Sequence, residues 1–488
     1  MIMGRFSGQV APRIRPGPTG EVISWATSRP FRDAIVNPNG KSITGFVMWR
    51  CQSESMEEER MPRSATQGPI HGEVARGFES VKDLYERETQ TMAELNTQLC
   101  VYHRGEKVVD LWRSAVDDST FSADSLVNVF SSGKNLEAIA IASLVDRGLL
   151  SYSDRIAQHW PEFAAQGKES LTVADLMRHE AGLAAFNESL DPADLLRENI
   201  KENKVGVVIE RQAARFPKGQ GNRREYHSIT RGWVANELYR RVDPSGRTMG
   251  EFLRDEISRP LEADAMIGID PEDQERVCDF AMRGVLNQIL ETLKPPALGR
   301  SMKMSFWQLL SRFSRILRSS RASTVRGAAP PLSIGNAIDA FNDPVVAAGE
   351  TSSAGAKCSA RGLARIAAMM SARGRFDGKD YLGREAWEAL HADPLEGEII
   401  FAPTDFTQGG LNRFSHKEAA RGDLGRAFNA GREGFYGWFG FGGSIFQWHP
   451  DQEIGFAFVP TSLHAIDLCN ERGKAYQAEV LRCVEAIG

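Results

Sequence analysis

Ser131 and Lys134 are the residues whose types and spacing point most directly to chemistry. They stand three residues apart in the string Phe130-Ser131-Ser132-Gly133-Lys134, at the start of an apolar segment that is predicted to be helical. Side chains at this spacing share one face of a helix, and the positive N-terminal end of a helix disfavours a protonated amine. A lysine whose pKa is lowered in this way can activate the serine as a nucleophile. A capping serine followed by a surface lysine gives the same pattern, and the motif alone leaves both readings open.

Ser132 is the competing hydroxyl. It stands two residues from Lys134, and side chains at that spacing do not face each other on a helix. Ser131 is therefore the predicted nucleophile.

The elements that must position this pair follow from hydrophobic periodicity. Helical patterns cover Phe78–Met92, Lys134–Leu150, Ala360–Ala372 and Arg472–Ala486, and paired strands are predicted over Gln98–Leu111 and Ser444–Phe458. Residues 150–345 contain several helical patterns and few alternating ones. We predict an α/β fold in which an antiparallel sheet, flanked by helices, is built from the N- and C-terminal segments and carries an inserted all-helical lobe, with the site in the cleft between them.

The predicted organisation is an N-terminal extension over residues 1–68, disordered or targeting, and one catalytic domain over residues 69–488. The sheet lobe would comprise residues 69–150 and 345–488, and the helical lobe residues 151–344. The extension shows no clear periodicity, although three arginines precede its first acidic residue, Glu21. A cytoplasmic protein is expected, with a mitochondrial presequence as the alternative.

Composition excludes several classes of protein. The 488 residues include 59 Lys and Arg against 64 Asp and Glu, a net charge of −5, so nucleic-acid binding is not expected. The six cysteines form no Cys-x-x-Cys pair, and the nine histidines show no clustered ligand spacing. The chain also lacks a Gly-x-Ser-x-Gly elbow and a complete P-loop. We therefore expect neither a metal nor a cofactor, and no membrane-spanning segment.

Three motifs in order carry a family resemblance: Ser131-x-x-Lys134, Tyr226-His227-Ser228 and Trp438-Phe439-Gly440. Together they resemble the serine β-lactamase and penicillin-binding-protein-like superfamily, and more narrowly the class C β-lactamase-related esterases known as family VIII carboxylesterases. The resemblance runs from about residue 70 to the C-terminus and includes the stretch Thr172–Leu183.

The resemblance implies that Tyr226 is a phenolate-like base which, paired with Lys134, takes the Ser131 proton and later returns it to the leaving group. A partly buried tyrosine with a bonded hydroxyl is the alternative for Tyr226 taken alone. Ser228 stands where many relatives have Asn, which puts that residue's contact to the acyl group in doubt. His227 is interpreted as a spacer.

The third motif departs from the family pattern. Relatives that hydrolyse β-lactams carry Lys-Thr-Gly there, whereas Trp438 has no charge to offer a substrate carboxylate. An uncharged wall favours a neutral ester, although a structural aromatic at the sheet edge is the alternative. By analogy, the backbone amides of Ser131 and Phe441 would hold the oxyanion, and Gly440 would let the chain approach closely.

The segment Met302–Arg321 combines apolar residues at helical spacing with four arginines, and no Asp or Glu occurs between Glu291 and Asp339. Such a helix can lie on an anionic membrane, cover a hydrophobic cleft, or pack on the helical lobe as a solvated helix.

The leading hypothesis is a serine hydrolase that forms an acyl-enzyme with a small-molecule ester on Ser131. An acyltransferase would share the first half-reaction. A non-catalytic scaffold is a hypothesis of another class, since one related lineage forms filaments, and the retained Ser131, Lys134 and Tyr226 argue against it. β-Lactamase activity is a weaker option. The oligomeric state and the natural substrate are not predicted.

Overall fold

The computed structural model describes residues 68–488 apart from 92–94, 115–117, 218–222, 296–297, 299, 335–337 and 401. The expected extension over residues 1–68 lies outside the described residues except for Gly68. Its boundary with the catalytic domain stays a prediction.

A nine-stranded antiparallel sheet dominates the fold, in the order β1-β3-β2-β16-β15-β14-β13-β12-β11. The strands in chain order are β1 (His71–Val74), β2 (Asn96–His103), β3 (Glu106–Ser114), β4 (Leu126–Asn128), β5 (Ala265–Met266), β6 (Val277–Cys278), β7 (Ala281–Met282), β8 (Lys357–Cys358), β9 (Arg375–Phe376), β10 (Lys379–Asp380), β11 (Leu395–Ile399), β12 (Ala402–Phe406), β13 (Asn412–Arg413), β14 (Tyr436–Phe439), β15 (Ile445–His449), β16 (Ile454–Pro460) and β17 (Ser462–Leu463). The predicted sheet from N- and C-terminal segments is confirmed, because β2 pairs directly with β16.

The helices surround this sheet on both faces. In chain order they are α1 (Glu79–Thr91), α2 (Lys134–Asp146), α3 (Ile156–His159), α4 (Val173–Met177), α5 (Arg197–Lys201), α6 (Lys204–Arg211), α7 (Thr230–Val242), α8 (Met249–Phe252), α9 (Val285–Leu293), α10 (Phe306–Ala322), α11 (Pro344–Ala348), α12 (Ser352–Gly355), α13 (Ala360–Ser371), α14 (Arg384–His391), α15 (His416–Ala419), α16 (Gly422–Asn429) and α17 (Glu471–Ile487). None of the helices in the described part of the chain is both long and apolar enough to cross a membrane.

The sheet separates two hydrophobic cores because side chains alternate along its central strands. On β2, Leu99 and Val101 face one core, and Cys100 faces the other. The first core is closed by α1 and α17, and the second contains α2, α7 and α13. Helix α2 is apolar on nearly all sides and is buried accordingly, which fixes its N-terminal end firmly in the molecule.

The inserted lobe is not all-helical, contrary to the prediction. Strands β5 and β6 belong to a four-stranded sheet with the order β5-β8-β4-β6, and β7 pairs in parallel with β17. Each of these three strands has two residues, too few to produce a readable alternation of polar and apolar positions.

Candidate active site

Ser131 lies in a 3₁₀ turn, Phe130–Gly133, that continues directly into α2. Phe130, which precedes it, has a φ of 46°, in the left-handed region that residues with a side chain rarely adopt. Such a conformation costs of the order of 1–3 kcal/mol and persists only where packing holds it. Here the Phe130 ring makes edge contacts with Phe280, Phe341 and Phe441, at centroid distances of 5.0, 5.7 and 5.9 Å. This packing holds the nucleophile turn in place.

Lys134 is the first residue of α2 and is only 1% exposed. Its Nζ donates to the carbonyl oxygens of Ser228, at 2.6 Å, and Ser353, at 3.0 Å, and lies 3.4 Å from Ser131 Oγ. Burial lowers the pKa of the Lys134 amine well below its ordinary value, and nearby Arg231 lowers it further against the opposing effect of Glu137. A neutral amine that donates two hydrogens to carbonyls keeps its lone pair for Ser131.

The Tyr226 hydroxyl donates to Ser131 Oγ at 2.7 Å and accepts a hydrogen bond from Trp438 Nε1 at 2.9 Å. Burial raises the pKa of Tyr226 to about 12, so the neutral phenol is favoured in the resting site. The resemblance implied a phenolate-like base at this position. The difference arises because burial of the phenol raises its pKa more than its hydrogen bonds and the charge of Arg231 lower it.

Two buried histidines hold the extended segment that carries Tyr226. The backbone amide of His227 donates to His179 Nδ1 at 3.1 Å, and His227 Nε2 accepts from the Leu183 amide at 3.0 Å. His227 Nδ1 therefore carries the hydrogen and donates to the Glu225 carbonyl at 2.6 Å. Burial lowers the pKa of His227 to about 3, which keeps the ring neutral. His227 fastens the segment, whereas the sequence suggested a spacer.

Trp438 lies on β14 with 6% of its surface exposed, stacked on Phe439 at a centroid distance of 5.1 Å. Its position in the sequence is compatible with a substrate wall or with a structural aromatic. The structure adds a third feature, since its indole N–H is the hydrogen-bond partner of the Tyr226 hydroxyl. No charge stands at this position.

Gly440 follows β14 and lies close to Val129, which stands between β4 and the nucleophile turn. A Cβ on Gly440 would lie 2.2 Å from the carbonyl oxygen of Val129, so a side chain there would push the two segments apart. The Ser444 hydroxyl donates to the same carbonyl at 2.7 Å and lies 3.0 Å from the Ser132 hydroxyl. Ser132 is fully buried in this contact, whereas Ser131 is partly exposed.

The backbone amides of Ser131 and Phe441 lie on the two segments joined by this contact. Within the described part of the chain, neither amide donates to a protein acceptor. Two free amides beside a nucleophile are the usual means of stabilising an oxyanion. Both amides are available to a ligand, and the oxyanion role that the resemblance implies for them stays a prediction.

Ser228 contributes its backbone rather than its side chain. Its carbonyl accepts from Lys134, as described above, and its exposed side chain makes no hydrogen bond to a described residue.

A group of buried polar residues beneath Lys134 was not predicted. Glu137 and Arg231, both fully buried, form an ion pair at 2.8 Å. Glu137 also accepts from the hydroxyls of Ser352, at 2.9 Å, and Ser353, at 2.5 Å. We call Glu137, Arg231, Ser352 and Ser353 the buried polar cluster. It fixes Ser353, whose carbonyl in turn binds Lys134. The available signal in the sequence was Glu137, an acidic residue in the first turn of the apolar helix α2.

The described residues contain no group of three or more His, Cys, Asp or Glu side chains arranged to hold a metal ion. The groups that meet are a serine hydroxyl, a buried amine and a phenol, and the amides of Ser131 and Phe441 lie on adjoining segments. This set can deliver an activated hydroxyl to a carbonyl carbon and return a proton to the group that leaves.

Comparison with known proteins identifies the family of this chain. The Beta-lactamase family profile matches residues 84–476. Esterase/beta-lactamase LipL of Mycobacterium tuberculosis (strain ATCC 25618 / H37Rv) is 30% identical over 378 residues, which cover 75% of this chain and 76% of that protein.

Solved structures show the same fold. A penicillin-binding protein homolog from Caulobacter crescentus aligns with a TM-score of 0.64 and 25% identity, and a family VIII carboxylesterase aligns with a TM-score of 0.67 and 22% identity. Each alignment covers 85% of this chain and 100% of the other. The chain therefore belongs to the Beta-lactamase family.

Proposed function

We propose that this protein is a serine hydrolase that cleaves carboxylic esters through an acyl-enzyme on Ser131. The observation that carries the proposal is the position of Ser131 Oγ, 2.7 Å from the Tyr226 hydroxyl and 3.4 Å from Lys134 Nζ. A general base or acid acts from hydrogen-bonding reach of the atom it serves, and such contacts are often longer before a substrate binds.

In the first step, the Ser131 proton passes to the lone pair of Lys134 as Oγ attacks the ester carbonyl carbon. The carbonyl oxygen becomes an oxyanion, which accepts hydrogen bonds from the amides of Ser131 and Phe441. The carbonyl groups of Ser228 and Ser353 stabilise the ammonium that forms on Lys134.

In the second step, the tetrahedral intermediate collapses and the bond to the alkoxy group breaks. The Tyr226 phenol gives its proton to the departing oxygen, and Lys134 replaces that proton, which leaves a neutral amine and a neutral phenol beside the acylated Ser131. The high pKa of Tyr226 suits this donor role, because the phenol is protonated before the step begins.

Water then attacks the acyl carbon and passes its proton through the same two groups to Ser131 Oγ. The acid is released and the resting state returns. Trp438 supports an ester as the substrate class, because its indole N–H is used by Tyr226 and offers no cation for a substrate carboxylate.

The test is hydrolysis of a short-chain p-nitrophenyl ester by the wild type and by Ser131→Ala, followed by mass spectrometry of the quenched enzyme. We expect turnover in the wild type, an acyl adduct on Ser131, and loss of both in the variant.

Ser132→Ala is the matched control, because it removes the neighbouring hydroxyl and leaves Ser131 in place. It should still form the adduct. Turnover that survives in Ser131→Ala, or an adduct on Ser132, would contradict the proposal.

A further inference from the structure

Eight of the twelve large apolar side chains that are exposed in the described part of the chain lie between residues 285 and 313. On α9, Leu286, Leu290 and Leu293 are 69%, 49% and 57% exposed, at a spacing that places them on one face of the helix. On α10, Trp307 is 75% exposed and Leu310 is 49% exposed. The two helices contact each other. We call their exposed surface the α9–α10 face.

The charge of this face is predominantly basic, and the Glu291 carboxylate on α9 pairs with Lys294. No Asp or Glu occurs between Glu291 and Asp339. Arg315, Arg318 and Arg321 of α10 are exposed, and none of them forms an ion pair with a described residue. Arg318 and Arg321 follow Trp307 and Leu310 by eleven residues, or about three turns, and so share their side of the helix.

The opposite side of α10 is fastened to the protein. The buried Arg312 donates to Glu471 at 2.7 Å, and Gln308 donates to Asp423 at 2.9 Å. These two contacts join α10 to α16 and α17. Helix α10 begins at Phe306, after the buried Met302 and Met304.

Both ends of the segment that carries this face reach the active site. Before α9, the Phe280 ring packs on Phe130, the residue that precedes Ser131. After α10, the Thr324 amide donates to the Glu225 carboxylate at 2.6 Å, next to Tyr226. The α9–α10 face is therefore anchored on both sides of the catalytic residues.

We propose that the α9–α10 face docks on an anionic phospholipid bilayer. Exposed leucine and tryptophan side chains enter the acyl region of a membrane surface, and arginines beside them bind phosphate groups. A second copy of this chain is a poorer occupant, because it would bring two rows of unpaired arginines together. If the proposed function holds, docking presents Ser131 with esters dissolved in the membrane surface; the docking itself does not depend on catalysis.

The experiment is co-sedimentation of the full chain with vesicles of phosphatidylcholine alone and of phosphatidylcholine with phosphatidylglycerol, at low and at high salt. We expect binding to the anionic vesicles that weakens with salt. Replacing Arg315, Arg318 and Arg321 by Gln should weaken that binding about a hundredfold, since each basic residue near an anionic surface contributes roughly fivefold. Trp307→Glu should weaken it by about tenfold or more.

Val345→Glu is the matched control, because Val345 is an exposed apolar residue, 46% exposed, on another helix. It should bind as the wild type does. Ser131→Ala should also bind, which separates failure of the docking from failure of the catalytic proposal.

Thermal unfolding and hydrolysis of a soluble ester check that each face variant is folded. Equal binding to both kinds of vesicle, or equal loss in Val345→Glu and Trp307→Glu, would overturn the proposal. A dimer in light scattering that Trp307→Glu dissociates, without vesicle binding, would identify the face as a self-interface and would overturn it as well.

Discussion

The buried polar cluster and the α9–α10 face use the same residue type in opposite ways. Arg231 is fully buried and binds a carboxylate and three backbone carbonyls, whereas Arg318 is exposed without an ion pair among the described residues. A buried charge is tolerated only when its hydrogen-bonding groups are satisfied. The guanidinium of Arg231 is therefore fully used in contacts within the protein. The arginines of the α9–α10 face are available to a partner.

The largest effect expected in the buried region is on catalysis. Lys134→Met removes the amine that receives the Ser131 proton, and kcat/KM for a soluble ester should fall about 10⁴-fold, or about 5.5 kcal/mol of transition-state stabilisation. Steady-state kinetics measure it, with unfolding curves to verify the fold. A decrease smaller than about tenfold would mean that Lys134 and the polar groups that hold it have only a structural role.

The pH dependence of kcat/KM in the wild type tests the same assignment of Lys134 as the general base. Burial lowers the pKa of Lys134, so its amine is protonated and inactive at low pH and becomes a base as pH rises through that lowered value. The pKa of Tyr226, about 12, keeps the phenol protonated over the same range. We expect kcat/KM to rise with pH from acidic to mildly alkaline solution. A profile that falls over this range would contradict the assignment.

Substitutions in the two regions should also differ in how far they lower the free energy of unfolding. Arg231→Met leaves Glu137 buried without its ion-pair partner, and the free energy of unfolding should decrease by about 3–5 kcal/mol. The matched change Arg318→Met on the α9–α10 face should alter it by less than about 0.5 kcal/mol. Denaturant unfolding measures both. Similar losses of unfolding free energy in the two variants would contradict the distinction between the buried and the exposed arginines.

The smallest predicted effect concerns Trp438→Phe, which retains the aromatic ring and removes the N–H that binds Tyr226. The loss of one hydrogen bond of about 1 kcal/mol should lower kcat/KM by roughly fivefold to tenfold. Stability should change less than in Arg231→Met. Unchanged kinetics would mean that Trp438 serves only as packing at the sheet edge.

The predicted helices and hairpins agree with the structure where periodicity is strong. The helix predicted over 134–150 is found over Lys134–Asp146, and the hairpin predicted over 444–458 is β15 and β16. Strands β11 to β14 were not predicted, because they are short and contain Pro403 and Gly437, which interrupt a strand pattern. Their position depends on pairing with the rest of the sheet.

Only those parts of the site that depend on local spacing or on the ordered motifs could be predicted from the sequence. A helix start places residues three apart near each other, so Ser131 and Lys134 could be paired from sequence. The Glu137–Arg231 pair could not, since its members stand 94 residues apart on helices with no shared pattern. The strained φ of Phe130 has no signal in sequence either, because it results from packing among distant aromatic rings.

The partners of Lys134 have a consequence for how the protein is made. Its two carbonyl acceptors lie 94 and 219 residues further along the chain, and β16 must enter between β2 and β15 to close the sheet. A nascent chain that has emerged only as far as α7 therefore contains the nucleophile but cannot activate it. Under the proposed function, esterase activity during translation would appear only when synthesis is nearly complete, which would make catalysis a reporter of finished folding.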